Sequence, residues 1–338
     1  MNSDSHEVLS VVVIGLNEER RLSGAFESIG QSRGIEAIEI FYVDSGSTDR
    51  SVEIAACFDG IRVLHLQDPE PSAAKARNLG LEYATGSFVQ FLDGDSVLDP
   101  DWLRRGIAAL REDPNVACVF GQIVEVNHRG SLYSRVCRFD WYVPPGDHRL
   151  CGGNALWRRE VFDQIGKFDG NLRAGEEPEL CYRARQRGYR VVCLDGVMVH
   201  HDLEMETFGQ YWARAVRSGR AYAEIALRFH RREEKLWLAE ALRNFAEPMI
   251  WLALGLTGFV GGPGFAAVLL AVWFVGRTAT LVRRLRRRDD ALDDRVLYAL
   301  HLQFIRIPEA CGQALTLMRR FRSSRRRLSE KERAMCRD

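Results

Sequence analysis

Through about residue 202 the chain repeats one pattern: a short apolar run, a polar loop, then apolar positions at helical spacing. Val8–Ile14 is nearly all β-branched, which predicts a strand buried on both faces, as in a parallel sheet. Arg20–Gln31 then reads as a helix with Leu22, Ala25, Phe26 and Ile29 on one face. Further strands are predicted at Ile38–Val43, Ile61–Leu66, Phe88–Leu92, Ala117–Val126 and Val191–Val199. Helices are predicted at Arg50–Cys57, Ser72–Ala84, Asp101–Arg111 and Glu160–Ile165, with one more ending at Gln186 and closed by Gly188. Tyr133–Trp141, aromatic and basic and broken by Val143-Pro144-Pro145-Gly146, reads as a mobile loop. Strands alternating with helices define an α/β class with a mostly parallel central sheet flanked by helices.

Beyond His201 the pattern becomes helical: Phe208–Arg228, then Glu233–Phe245, and later Tyr298–Met318. Residues 248–276 carry no charge and are interrupted by Gly261-Gly262-Pro263-Gly264. Each half spans about 17 to 18 Å as a helix at 1.5 Å per residue, short of the roughly 20 residues of a full crossing. Arg228, Arg231, Arg232 and Lys235 precede this stretch, and Arg283, Arg284, Arg286, Arg287 and Arg288 follow it. Basic flanks on both sides predict a membrane hairpin over 248–282, spanning or re-entrant, with both ends cytoplasmic. A buried helical hairpin in a soluble domain is the alternative. The domain expectation is therefore 8–205 for the α/β unit, 206–247 for an amphipathic connector, 248–282 for the hairpin and 283–338 for a basic helical tail drawn to anionic lipid.

Composition adds limits. The net charge of +1 over 338 residues gives no reason to expect nucleic acid as a partner. None of the 8 cysteines forms a C-x-x-C pair and no His falls at zinc-finger spacing, so no zinc site is expected. The cysteines read as reduced thiols in a cytosolic setting. Met1–Glu7 is polar and acidic, so no signal peptide is expected.

The candidate chemistry gathers where the predicted strands end. Phe88–Leu92 runs into Asp93-Gly94-Asp95. Two carboxylates around a glycine at a strand end make a hard oxygen site suited to Mg2+ or Mn2+ carrying a diphosphate. A solvated turn has the same composition. Only Gly15 follows the first strand, where a dinucleotide fold wants G-x-G-x-x-G, so a Rossmann oxidoreductase is disfavoured. Asp44 ends the second strand, where open α/β sheets bind ligands. Lys75 and Arg77 lie near a helix start, where cations oppose the dipole and make sense facing phosphates. Glu176 and Glu177 stand directly before Pro178, more acid than a helix cap needs. His200, at the end of the Val191–Val199 strand, is a candidate metal or phosphate ligand, with a structural histidine as the alternative.

Taken in order, Asn17-Glu18, Asp44-Ser-Gly-Ser-Thr-Asp49, Ala76-Arg77-Asn78 with Gly80, Asp93-Gly-Asp95, Gly152-Gly153-Asn154 and Gly175-Glu176-Glu177-Pro-Glu-Leu180 resemble the glycosyltransferase family 2 enzymes of the GT-A fold. The resemblance covers about residues 8 to 202. It implies a GT-A nucleotide-diphospho-sugar transferase fold and transfer by single displacement with inversion. It also implies that Asn17, Glu18, Asp44, Arg77, Asp93, Gly152, Gly153 and Asn154 hold the nucleotide sugar, with Asp44 at the base or ribose and Arg77 near the diphosphate. Asp95 with Asp93 would hold the divalent metal. Glu177 falls where the family has the Asp general base and Glu176 matches the Glu before it; Ser45 replaces a frequent second Asp. With the basic, apolar carboxyl-terminal part, the expected partners are a nucleoside-diphosphate sugar, a lipid-linked or growing glycan acceptor, and lipid at the cytoplasmic face of the inner membrane. The rival readings are a sugar-phosphate nucleotidyltransferase and a non-catalytic sugar-nucleotide-binding membrane protein. The glycine-poor loop at residues 15–21 speaks against the first, and the retained acidic groups against the second.

Overall fold

The computed structural model describes residues 8–127, 130–285 and 291–335. Residues 1–7, Arg286–Arg288 of the basic flank and the last residues of the tail lie outside the described residues. The chain divides into two units, Met1–Glu204 and Met205–Asp338.

The first unit is built on strands β1 (Leu9–Gly15), β2 (Ile38–Asp44), β3 (Ile61–His65) and β4 (Phe88–Asp93), which pair in parallel in the order β3-β2-β1-β4. Helices α1 (Leu22–Gly30), α2 (Ser51–Ala56) and α3 (Ala73–Tyr83) connect them. Every residue of β1 is buried, as its unbroken apolar run requires. The sheet continues through β5 (Ser96–Leu98), β6 (Val116–Glu125), β7 (Gly146–His148), β8 (Ala155–Arg158) and β9 (Arg190–His201) to nine strands. β8 runs antiparallel between β4 and β6, and β5 and β7 run antiparallel to β9, so the sheet is mixed with a parallel core. A buried Gln90 on β4 is satisfied by accepting from Trp102 Nε1 at 2.8 Å, which fixes α4 (Trp102–Glu112) on the sheet.

Helix α3 lies so close to β1 that a Cβ on Gly80 would overlap the Val12 side chain. Gly80→Ala is expected to cost about 1–3 kcal/mol through overpacking, read as a lower denaturation midpoint at unchanged slope. Some expectations change. Residues expected as a loop around Tyr133–Trp141 form helix α5 (Leu132–Asp140), capped by Ser131, whose hydroxyl accepts from the Ser134 N–H. The short β5 had no periodic signal and exists because it pairs with β9. After α6 (Arg159–Ile165), helix α7 (Glu176–Gln186) begins within the Gly175–Leu180 motif instead of after it, because Gly175 takes the left-handed turn at φ 88° that begins it.

The second unit holds α8 (Phe208–Phe229), α9 (Leu238–Leu256), α10 (Gly258–Arg284), α11 (Leu292–Phe304) and α12 (Arg306–Met335). A capping box between Thr207 and Gln210 starts α8. Gly219 of α8 and Gly312 of α12 face each other's backbone so closely that a Cβ on either would overlap a carbonyl of the other helix, at Glu309 and Val216 respectively. α9 continues through Pro248 instead of ending at Phe245, and the expected glycine break appears as a non-helical Gly262 (φ 82°, ψ 162°) inside α10. α9 and α10 form a pair joined by Trp251 on Trp273, ring centroids 5.9 Å apart, and by Arg277 on Glu247 at 2.6 Å. The single helix expected at Tyr298–Met318 is two, divided at Ile305, three residues before a proline that has no N–H to give. α10 is long and apolar enough to cross a membrane, and its apolar side chains are largely uncovered by the rest of the described residues, with Val260 95% exposed.

Candidate active site

From β1 the chain moves outward to β2 and β3, then returns to β4 on the other side of β1. At such a reversal the loops beyond the strands' carboxyl ends diverge and leave a crevice. Here the crevice has a volume of about 380 Å³ and is lined among others by Gly15, Glu18, Ser45, Ser72, Asp93 and Asp95, a size proper to a small-molecule site.

The turn after β4 is held at both ends. Gly94 N–H donates to Ile14 O at 2.8 Å, and Asp93 N–H donates to Asn154 Oδ1 at 2.8 Å. The amide of the buried Asn154 also donates to Ser96 Oγ at 3.2 Å, so one side chain clamps the turn that carries both aspartates.

Arg77 is 3% exposed and organises the acidic groups. Its Nη1 donates to Glu176 Oε1 at 2.9 Å and to Glu177 Oε1 at 3.0 Å, and its Nη2 donates to Asp93 Oδ1 at 3.0 Å. Sequence reasoning had Arg77 and Lys75 facing phosphates. The structure ties Arg77 to three carboxylates and Lys75 to Asp68 at 2.6 Å, so both charges are engaged within the protein. Gly153 makes the Arg77 hub possible, because a Cβ there would overlap Arg77 Nη2; Gly152 faces open space. One guanidinium among three carboxylates leaves negative charge uncompensated. Burial, the neighbouring Glu176 charge and Asp93 push Glu177 up to about 8 against the pull of Arg77. Burial likewise raises Asp93, with Asp95 adding to it and Arg77 opposing.

Beside this hub stands a second group. Burial would raise Asp95, but the hydrogen bond and charge of His201, with Arg21, hold it below the usual carboxylate range. His201 Nε2 lies 3.0 Å from Asp95 Oδ2, and Trp141 packs edge-on against the His201 ring at 4.9 Å. Burial would lower His201, but Asp95, Asp93 and Glu125 together raise it. Glu18 is pushed up to about 7 by burial and by the Asp95 and Asp93 charges, although Arg21 Nη2 donates to Glu18 Oε2 at 2.7 Å.

The histidine assignment therefore moves by one residue. Ser96 pairs with His201 and Val97 with His200; alternate residues of a strand face opposite sides, so it is His201, not His200, that meets Asp95. Asn17 (φ 59°) accepts from Thr48 N–H at 2.8 Å and joins the loop after β1 to the loop after β2. Asp44 is buried and accepts from the N–H groups of Gly46 at 3.0 Å and Ser47 at 3.2 Å, shaping its own loop while its neighbour Ser45 lines the crevice. Arg21, Glu125 and His201 were missed as site residues. For Arg21 a signal existed: it is a cation at a helix start, the same feature that drew attention to Lys75.

The donor set fits a hard divalent cation. Asp93 meets Arg77 through one oxygen; Asp95 meets His201 through Oδ2 and takes only a long 3.4 Å bond from Ser96 Oγ on Oδ1, and the crowding that lifts Glu18 marks a place short of positive charge.

Fold and crevice together have the GT-A arrangement, a mixed α/β sheet with its crevice beyond the carboxyl ends of β1 and β4. Residues 10–166 of the chain match the model described as glycosyl transferase family 2. Among curated proteins it is similar to the glycosyltransferase AglE of Haloferax volcanii, 23% identical over 261 residues, covering 73% of this chain and 80% of the relative. It is also similar to the glucosyl-dolichyl phosphate glucuronosyltransferase of the same organism, 27% identical over 219 residues, covering 58% of this chain and 69% of that one. Among solved structures the mannosyltransferase PcManGT of Pyrobaculum calidifontis, in complex with GDP-Man and Mn2+, shares the fold with a TM-score of 0.67 at 19% identity, covering 92% of this chain and 88% of that one.

Proposed function

We propose that this transferase moves a sugar, with inversion, from a nucleoside-diphosphate sugar to a lipid-linked or growing surface glycan at the cytoplasmic face of a membrane. The observation that carries the reading is the Arg77 hub, which fixes a carboxylate of raised pKa, Glu177, within one guanidinium of Asp93 at the crevice. Asp93 and Asp95 would hold a Mg2+ or Mn2+ ion, which when bound neutralises charge on the departing diphosphate. PcManGT, solved with GDP-Man and Mn2+, supports this choice of donor class and ion.

Glu177 accepts the proton of the acceptor hydroxyl as the new oxygen–carbon bond forms and the bond from the sugar carbon to the phosphate oxygen breaks. Arg77 keeps the Glu177 carboxylate aimed and balances its charge. Glu176, buried on the same guanidinium, is a positioning residue that leaves Glu177 the more accessible oxygen, with side-chain exposures of 5% and 17%. The loops after β1 and β2, joined through Asn17 and Thr48, give the nucleotide a preformed wall.

The acceptor class draws support from the second relative, whose substrate is a dolichyl phosphate-linked glucose by its name. It also draws on α10, whose apolar surface would place the enzyme at a lipid surface. Asp95→Ala, purified folded and assayed with Mn2+ and a panel of nucleotide sugars, is expected to lose at least about a hundredfold in transfer, the scale of losing one charge-stabilising group. Near-normal turnover by that variant would defeat the proposal.

A further inference from the structure

Cys118 of β6, Cys151 of the loop before Gly152, and Cys181 of α7 are far apart in sequence and meet in the fold. Their sulfurs all lie within 4.8 Å of one another, with Cys151 Sγ 3.5 Å from Cys181 Sγ, and all three residues are buried. The spacing argument against a thiolate metal site concerns only cysteines close in sequence, and tertiary structure supplies what spacing lacks. We infer that Cys118, Cys151 and Cys181 form a trithiolate site for one thiophilic cation, of the class of Cu(I), Zn(II) or Cd(II).

The geometry suits this. Metal–sulfur bonds of about 2.3 Å to three thiolates set the sulfurs about 4 Å apart, inside the present spacing, so closure asks for little movement. Soft thiolate donors select soft cations over the hard ions that suit the aspartates of the crevice. Cys151 N–H points at Cys181 Sγ at 3.4 Å, a donor that favours the thiolate. On binding, three sulfur–metal bonds form and up to three S–H protons pass to solvent; no oxidant is involved. The site would tie together β6, the loop that carries Gly153 and Asn154, and α7, on which Cys181 sits one turn beyond Glu177.

The test uses the reduced full chain carrying Cys57→Ala, Cys311→Ala and Cys336→Ala, titrated with Cd2+ alone. The expected result is an ultraviolet thiolate-to-cadmium charge-transfer band saturating at one ion per chain, with proton release into a weakly buffered solution and a raised melting temperature. Adding Cys151→Ala or Cys181→Ser should abolish the band, while Asp95→Asn should leave it intact, separating this site from the carboxylates. Absence of the band in the folded chain, its persistence in the Cys151→Ala variant, or a Cys151–Cys181 disulfide in the protein as isolated under reducing conditions would each overturn the inference.

Discussion

Glu177→Gln is expected to lower kcat by about 10²–10⁴-fold, the range for losing a general base, with the donor KM little changed. The substitution keeps size and a hydrogen-bonding oxygen for Arg77, so the loss would report the missing proton acceptor. The pH profile carries the stronger test. Without a divalent cation Glu177 is pushed up to about 8 by burial and by Glu176. A cation held at Asp93 and Asp95 adds positive charge nearby and draws Glu177 lower. The wild-type rate should therefore rise with pH along a limb lying below 8, falling about tenfold per pH unit beneath it. The residual rate of the variant should lack that limb. An unchanged limb in Glu177→Gln would remove Glu177 from the base role, and its loss in Glu176→Gln alone would transfer that role to Glu176.

The second large effect concerns Arg77. Removing one partner from a buried ionic cluster leaves uncompensated charge and costs about 3–5 kcal/mol, so Arg77→Leu is expected to lose stability on that scale in denaturant unfolding at neutral pH. The deficit should depend on pH with a definite sign. Asp93 and Glu177 already have raised values in the folded chain. A group raised on folding lends stability below its unfolded value and loses it as pH climbs through its folded one. The cation-free wild type should thus become less stable from about pH 4.5 to about 8, and Arg77→Leu more steeply so, because no guanidinium then opposes the rise. Acidifying to about pH 5 should narrow the gap between the two proteins; a gap that widened on acidification would contradict the assigned charges. Mn2+ should restore stability to the wild type most at the alkaline end.

Much of this site was legible in the sequence because its parts sit at strand ends that an apolar run announces. Val8–Ile14 and Phe88–Leu92 marked β1 and β4 within a residue or so, and with them the place of Asp93 and Asp95. The glycines at 152 and 153 could be noted, but only the packed structure separates Gly153, pressed on Arg77, from Gly152, which faces open space. The engagement of Arg77 was hidden for the same reason. Its partners lie 16, 99 and 100 residues away, and no local pattern encodes them. The apolar stretch in the second unit was visible as a whole, but the run of α9 through Pro248 depends on neighbours such as Arg277 on Glu247. The cysteine cluster carries no short-range spacing signal, because its neighbours in sequence lie 30 or more residues apart and only the fold joins them.

The irregular pairing of β6 with β9 also fixes the register at the end of β9. Between the partners Phe120–Cys193 and Gln122–Val197, β9 advances four residues while β6 advances two, around Gly196 at φ 100°. That surplus stretch determines which of two adjacent imidazoles looks inward. Removing one residue there would turn His201 away from Asp95 and, by the same alternation, invert the buried Met198 and Val199, so the bulge ties the placing of one imidazole to the packing of the sheet.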